Sequence, residues 1–256
     1  MSLRERLADR LCAFYEQRGL SVGDKFSCVH AGDCIRDAGD RMLTHGAEAH
    51  LGTSYGTALR VVVVSLDTGG GSDDLENRTR IIENLPGTEL NAHMRGTRAI
   101  TRELLYPDIG EDEPYPYFAM INAAKCSGAD RKRDMVPDTL YERCRPYALE
   151  ELQLLAPEVV VTQGQRGRAV LPPGERPVRE SVDALAHQLG TLDWVAEWLW
   201  ALTSRYLKWI SVGEGPALAV ITPHPSARGG QWQRFAALDM GPLAWLVRHI
   251  VGTCTG

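Results

Sequence analysis

Residues 59–66 read LRVVVVSL, and this run decides the fold class. Four successive valines favour extended backbone, and an apolar run without polar alternation predicts a strand buried on both faces. The next eight residues, DTGGGSDD at 67–74, are too polar and flexible to continue it. Short apolar runs at 117–122, 158–162 and 217–221 predict three further strands. Helical patterns lie between them: at 93–105, at 138–155 with Asp138 as N-cap and Pro157 beyond the end, and briefly from Gly164 to Leu171. Leu3, Leu7, Leu11 and Phe14 predict an amphipathic helix over 2–18, stopped by Gly19. Residues 192–210 carry Trp194, Trp198, Trp200 and Trp209 on a helical pattern, expected as core or interface, and 229–251 reads mainly as a closing helix. Strands alternating with helices predict an α/β protein, a three-layer αβα sandwich around a central, mostly parallel four-stranded sheet.

With 256 residues, 44% of them hydrophobic, the chain can bury a sizeable core. No linker divides it convincingly, so it reads as one domain, 1–256, whose first 57 residues or so form a cysteine-containing segment. A net charge of -5 argues against a uniformly basic nucleic-acid binder but leaves room for local basic groups. These are Arg131-Lys132-Arg133, Arg143/Arg145, Arg166/Arg168 and Arg228/Arg234. Residues 1–10 are charged and lack an apolar core of signal length, and no apolar stretch reaches bilayer-spanning length. The expectation is a cytoplasmic protein with no membrane contact. There, six cysteines point to metal ligation, catalysis or inert burial rather than disulfides. Residues 21–57, rich in Gly, Asp, Cys and His, make a long irregular stretch that a metal site could organise.

In a parallel sheet the ligand crevice lies outside the carboxyl ends of the strands. Asp67, Asn122 and His224, the last in Thr222-Pro-His-Pro-Ser226, all follow predicted strand ends. An acid, an amide and an imidazole converging there suit cleavage of an N-glycosidic bond, which needs charge near the sugar and donors at the departing base. The glycines at 69–71 lack the Lys-Ser/Thr ending of a phosphate-binding loop.

Four stretches resemble the uracil-DNA glycosylase superfamily, most closely its iron–sulfur-containing branch. They are VVVVSLDTGG (61–70), YFAMINAAKC (117–126), YERCRPYALEELQLLAPEVVVTQG (141–164) and AVITPHPSA (219–227), in the order the family uses. The resemblance implies a monofunctional DNA glycosylase that hydrolyses the bond to uracil or another deaminated or modified base, leaving an abasic site for base excision repair. It implies that Asp67 positions water and stabilises the sugar cation, that Asn122 reads the base edge, and that His224 donates to the base oxygen that gains charge. Gly69 and Ser226, in the same motifs, would contact substrate. Cys28, Cys34, Cys126 and Cys144 resemble the family's ligands to a [4Fe–4S] cluster, with tetrahedral Zn²⁺ on the same thiolates as the chemical alternative.

The resemblance further implies DNA as partner, single-stranded or a mismatched duplex with a flipped base, and a monomeric chain. Arg131, Lys132 and Arg133, between the last two cysteines, and Arg228 would hold phosphates. Residues 131–135 contain no histidine, so ordinary turnover is expected in place of a covalently trapped sugar. No Phe, Tyr or Trp occurs from Gly69 to Arg95 to stack on the base, and His93 or Met94 is the candidate to line the pocket instead. Arg228 or Trp232 stands in for the wedge that opens a duplex. Cys12 and Cys254 read as unligated. Two other functions suit the same features: a non-catalytic iron–sulfur DNA-binding protein, and a hydrolase of free nucleosides.

Overall fold

The structure is a computed structural model. It describes the chain except residues 40–42, 46–47, 67–73, 87–88, 129–136, 191–192, 214, 228 and 255–256, and gives the backbone alone at 43–45, 127–128, 188–189, 193–194 and 253–254. The first helix, α1 (Leu3–Arg18), starts on a capping box: Ser2 Oγ accepts from the Glu5 N–H and the Glu5 carboxylate accepts from the Ser2 N–H. It ends at Gly19, whose φ of 63° favours glycine. The irregular stretch that follows contains α2 (Ala31–Ala38), β1 (Leu43–His45) and β2 (His50–Leu51). The predicted valine strand is β3 (Val61–Ser65), followed by α3 (Leu75–Glu83) with Asp74 as N-cap and α4 (Ala92–Leu105) with Asn91 as N-cap. Next come β4 (Ala119–Asn122), β5 (Cys126–Gly128), α5 (Asp138–Leu155), β6 (Val159–Gln163) and α6 (Gly164–Ala169). The chain closes with α7 (Arg179–Leu189), α8 (Asp193–Tyr206), β7 (Leu207–Val212), β8 (Gly215–Thr222), α9 (Gln231–Leu238) and α10 (Met240–Cys254).

The main sheet has the order β2-β4-β3-β6-β8-β7. Its centre, β4-β3-β6-β8, is parallel, and the two edges, β2 and β7, run antiparallel. The four predicted strands are therefore the parallel centre of a six-stranded sheet, not the whole of it. The missed edge β7 lies inside the stretch read as one long helix. That helix stops at Tyr206, after which Lys208 pairs with Ala219 and Trp209 with Leu218. The closing helix is likewise two, α9 and α10, broken at Asp239. Asp138 is the first residue of α5 and not its cap: Pro137 holds the cap position, and the Asp138 carboxylate pairs with Arg166 at 2.7 Å.

Helices cover both faces. Val62, Val64, Ala119, Ile121, Val160 and Ala219 pack with α1 and α5 in one apolar cluster. Val61, Val63, Met120, Val161, Leu218 and Val220 pack with α4, α8 and α10 in the other. Because side chains alternate along a strand, the last residues of the parallel strands, Asn122, Ser65, Gln163 and Thr222, all turn to the α4 face. A separate two-stranded ladder joins β1 to β5, with His45 opposite Cys126. Among the described residues no helix is long and apolar enough to cross a membrane.

Candidate active site at the carboxyl edge of the sheet

Asn122 registers with Ser65, and Gln163 with Thr222, so four polar residues end four adjacent parallel strands. The row spans three inter-strand steps of about 4.8 Å, or about 14 Å. All four side chains are buried, at 1%, 1%, 0% and 3% exposure along the row. Valines drive the strands into the core, and the polar residues appear only where the strands stop.

The first turn of α4 lies over this row. His93 Nε2 is 2.6 Å from Gln163 Oε1 and 3.1 Å from Ser65 Oγ. The bonding chain assigns the proton: Thr97 Oγ1 donates to the His93 carbonyl and so accepts from Gln163 Nε2 at 2.9 Å. Gln163 therefore turns its oxygen toward His93, whose Nε2 carries the hydrogen. Burial, and next to it the imidazole of His224, lower the His93 pKa to about 4, so the ring is neutral near pH 7.

His224 faces His93 from the turn after β8, with the two rings stacked. Its Nδ1 accepts the backbone N–H of Ser226 at 3.1 Å, which requires a lone pair there and leaves the proton of the neutral ring on Nε2. The turn sits hard against α4. A Cβ on Gly96 would lie 2.4 Å from Pro225 Cβ, so only glycine lets helix and turn approach this closely. On the other side a Cβ at Gly164, where φ is 77°, would come within 3.1 Å of His224 Cβ.

At the far end of the row, Asn122 Oδ1 accepts from the Arg78 guanidinium at 3.2 Å. Arg78 is itself buried and donates to the Glu48 carbonyl at 2.5 Å. The Asn122 Nδ2 group is buried without a hydrogen-bond partner among the described residues. A buried amide N–H with no acceptor costs about 1–3 kcal/mol, so a ligand acceptor there would be favoured. Arg78 thus fixes which face of the amide donates.

Of the expected site residues, the structure places Asn122 at the end of β4 and His224 and Ser226 in the turn after β8, three strands away, with Ser226 exposed. Asp67, Gly69, Arg131, Lys132, Arg133 and Arg228 lie outside the described residues. Of the two candidates for lining the pocket, His93 lies over the polar row, while Met94 turns into the apolar cluster on which α4 packs. Trp232 is buried against Phe235, so as placed it is core and not a wedge. Several of the basic groups are engaged within the fold: Arg143 with Asp37, Arg145 with the carbonyls of Ala169 and Leu171, Arg166 with Asp138, and Arg168 with Glu175. Sequence reasoning missed Gln163 and Arg78. Gln163 satisfied the same strand-end rule that selected Asn122, whereas a lone arginine on an unassigned helix gave no signal.

The cysteines gather on the opposite face, around α5. Cys34, Cys126 and Cys144 are buried and Cys28 is half-buried, and none of the four is in a disulfide. Burial pushes the Cys144 thiol up to about 11, opposed by the Lys125 backbone N–H and ammonium and reinforced by Cys28 and Cys34. The Lys125 N–H donates to Cys144 Sγ at 3.2 Å and Arg143 reaches Cys34 Sγ at 3.7 Å. Among the described residues no three His, Cys, Asp or Glu side chains form a ready metal-holding group. Soft thiols with N–H donors aimed at Cys144 and Cys34 are the donor chemistry a thiolate-ligated centre uses, although the four sulfurs are not gathered into one ligand set here. Cys12, exposed on α1, stands apart.

No protein-family model matches the chain, and no curated protein matches it. Fold and site thus define an α/β protein with a mostly parallel six-stranded sheet and a buried polar row under two stacked histidines at its carboxyl edge.

Proposed function

We propose that this chain is a DNA glycosylase of the uracil-DNA glycosylase kind, built as an αβα sandwich and removing uracil or another deaminated base from DNA. The observation that carries the reading is a pair of donors on one sheet edge: the Nε2–H of neutral His224 and the unpartnered Nδ2–H of Asn122. Both suit a leaving base that accumulates negative charge. Asn122 donates to a base carbonyl while Arg78 holds its amide in place, and its oxygen retains a second lone pair for a base N–H. His224 donates to the oxygen that gains charge as the bond breaks. His93, neutral and tied to Gln163 and Ser65, walls the pocket without adding a competing positive charge.

Asp67 follows Leu66 directly and is assigned to water. Its carboxylate accepts a proton from the water whose oxygen bonds to C1′, and the C1′–N electron pair leaves with the base. The base departs as an anion held by the two donors and takes its proton from solvent. Cys28, Cys34, Cys126 and Cys144 would hold a [4Fe–4S] cluster, with Zn²⁺ as the alternative. When bound, that group ties the N-terminal segment to β5 and α5 and takes no part in the chemistry.

The test uses labelled oligonucleotides carrying uracil, hypoxanthine or xanthine, incubated with the protein and then treated with alkali. Strand cleavage at a modified site, abolished by Asp67→Ala and by His224→Ala, is the expected result. Intact strands at all three bases would falsify the proposal.

A further inference from the structure

A cleft of ≈ 1080 Å³ opens at the amino ends of the parallel strands. Arg60 precedes β3, Glu158 precedes β6, and Gly215 begins β8, so the cleft lies about five strand residues, roughly 17 Å, from the row that ends at Asn122 and Gln163. It is a different place from the proposed active site, and none of its residues belongs to that site.

Two indoles shape the cleft. Trp209, on β7, is held by donating its Nε1–H to Ser181 Oγ at 3.2 Å. Trp200, on α8, is 38% exposed, and the Arg179 guanidinium lies 4.7 Å from its ring centroid. A large aromatic ring left open in a concave wall, already carrying one cation, is a platform for a planar ring.

The charge of the wall is positive although the whole chain is negative. Arg60, Arg176, Arg179 and Lys208 line it against the carboxylates Glu158 and Glu180. Glu158 is already committed, accepting the Arg60 backbone N–H at 2.9 Å. Arg176 is backbone-anchored by a two-way bridge to Trp209, at 2.8 Å each way, yet its exposed guanidinium has no ion pair among the described residues. An anchored, unpaired cation bridged to Trp209 in a cleft that Trp200 also lines fits a ligand that combines a phosphate with a flat ring. The volume lies at the upper end of small-ligand clefts, which leaves room for more than one such unit.

We propose that this cleft binds a phosphorylated nucleoside unit, free or within a single strand, with the base against Trp200 and the phosphate on Arg176 and Lys208. The inference does not rest on the glycosylase reading, because binding here needs neither Asp67 nor His224.

Binding of adenosine monophosphate is measured by calorimetry, and of a labelled short oligothymidylate by anisotropy. Trp200→Ala should weaken either ligand at least about fivefold, the lower bound for losing one base–aromatic stack. Arg176→Gln should lower the salt-dependence slope of oligothymidylate binding by about 0.7 between about 50 and 200 mM salt. Both residues are exposed, so both variants should melt with the wild type. Binding of the monophosphate identifies a free nucleotide as ligand, and binding of the oligonucleotide alone identifies a single strand. Either, with the two variant effects, supports the cleft. The proposal is overturned if neither ligand binds, if both variants bind as tightly as the wild type, or if polyglutamate competes equally well at the same residues. Loss of base excision with cleft binding intact would sink the glycosylase reading alone.

Discussion

The imidazole rings of His93 and His224 lie parallel, 6° apart in plane and 5.4 Å between centroids, although one belongs to the first turn of α4 and the other to the turn after β8. Two rings this close disfavour double protonation, and burial keeps water from His93. His93 is therefore the neutral member of the pair across the range in which a free imidazole would already be charging, held so first by burial and next by His224.

That neutrality has a cost at low pH. Folded His93 takes up its proton only at about 4, against about 6.5 for an unfolded chain, and buried His50, its Nε2 at the Tyr115 carbonyl, only at about 3. Below about pH 6.5 the unfolded state binds more protons, so stability should fall as pH drops, by up to about 1.4 kcal/mol per pH unit for each ring. For His93 the loss is complete below its folded pKa. Urea midpoints measured from neutral pH downward should show this slope, and His93→Gln should remove one ring's share. A slope identical in that variant would mean His93 is not held neutral in the fold.

Gly96 sets the distance between α4 and the His224 turn. Gly96→Ala would ordinarily help a helix by about 1 kcal/mol, but here the new methyl meets Pro225 and Trp232. Overpacking of this kind costs about 1–3 kcal/mol, so the variant should melt lower than wild type. Excision should fall with it as His224 is displaced. A variant that melts higher would show that the turn yields freely.

Lys125 and Glu151 form a buried ion pair, with Tyr15 donating to Glu151 at 2.7 Å. Their side chains are 5% and 0% exposed, so screening is slight. Removing one charge strands the other: Glu151→Leu or Lys125→Met alone should cost about 3–5 kcal/mol, and the double substitution markedly less than the sum. Denaturation of all four proteins in the cycle checks this, and additive losses would argue against a direct pair.

Asn122→Asp keeps the size of the side chain but replaces the free N–H by an oxygen beside Arg78. Folding should survive, since the new carboxylate meets the guanidinium, whereas the chemical step should slow by about 10²–10³ with loss of an aimed donor. Single-turnover excision and a melting curve separate the two effects. Unchanged excision would remove Asn122 from the base pocket.

Cys144→Ser should give colourless protein and Cys12→Ser protein as coloured as wild type, if Cys144 belongs to a thiolate-ligated cluster. The visible spectrum and iron content of both variants decide the matter. Equal colour in the two would exclude Cys144 from the ligand set.

The four central strands were legible because Val61–Ser65 and Val159–Gln163 are apolar through and through, with polar ends that mark where they stop. β7 was not, because Trp209 falls in step with the three preceding tryptophans and extends a helical pattern past Tyr206, and only its last four residues, Trp209–Val212, alternate between buried and less buried positions. β2 has only two residues, too few to leave a period. Asn122 and His224 could be found as strand-end residues, one at a time. That His93 is the partner of His224 could not, since it depends on how α4 lies across the sheet, fixed by a glycine whose role is to be absent of side chain.

The valine runs pose a problem of alignment. A strand made of Val61, Val62, Val63 and Val64 beside one made of Val159, Val160 and Val161 can slide by a residue and still meet valine with valine. Apolar burial barely distinguishes the two alignments. What does is the pair of polar ends: Ser65 against Gln163 at one edge, and the Arg60 N–H on the Glu158 carboxylate at the other. A slide would bury one of these without its partner. The residues beneath the candidate pocket therefore act as the ruler of the sheet, and exchanging Ser65 for a fifth valine would threaten the uniqueness of the fold before it threatened its stability.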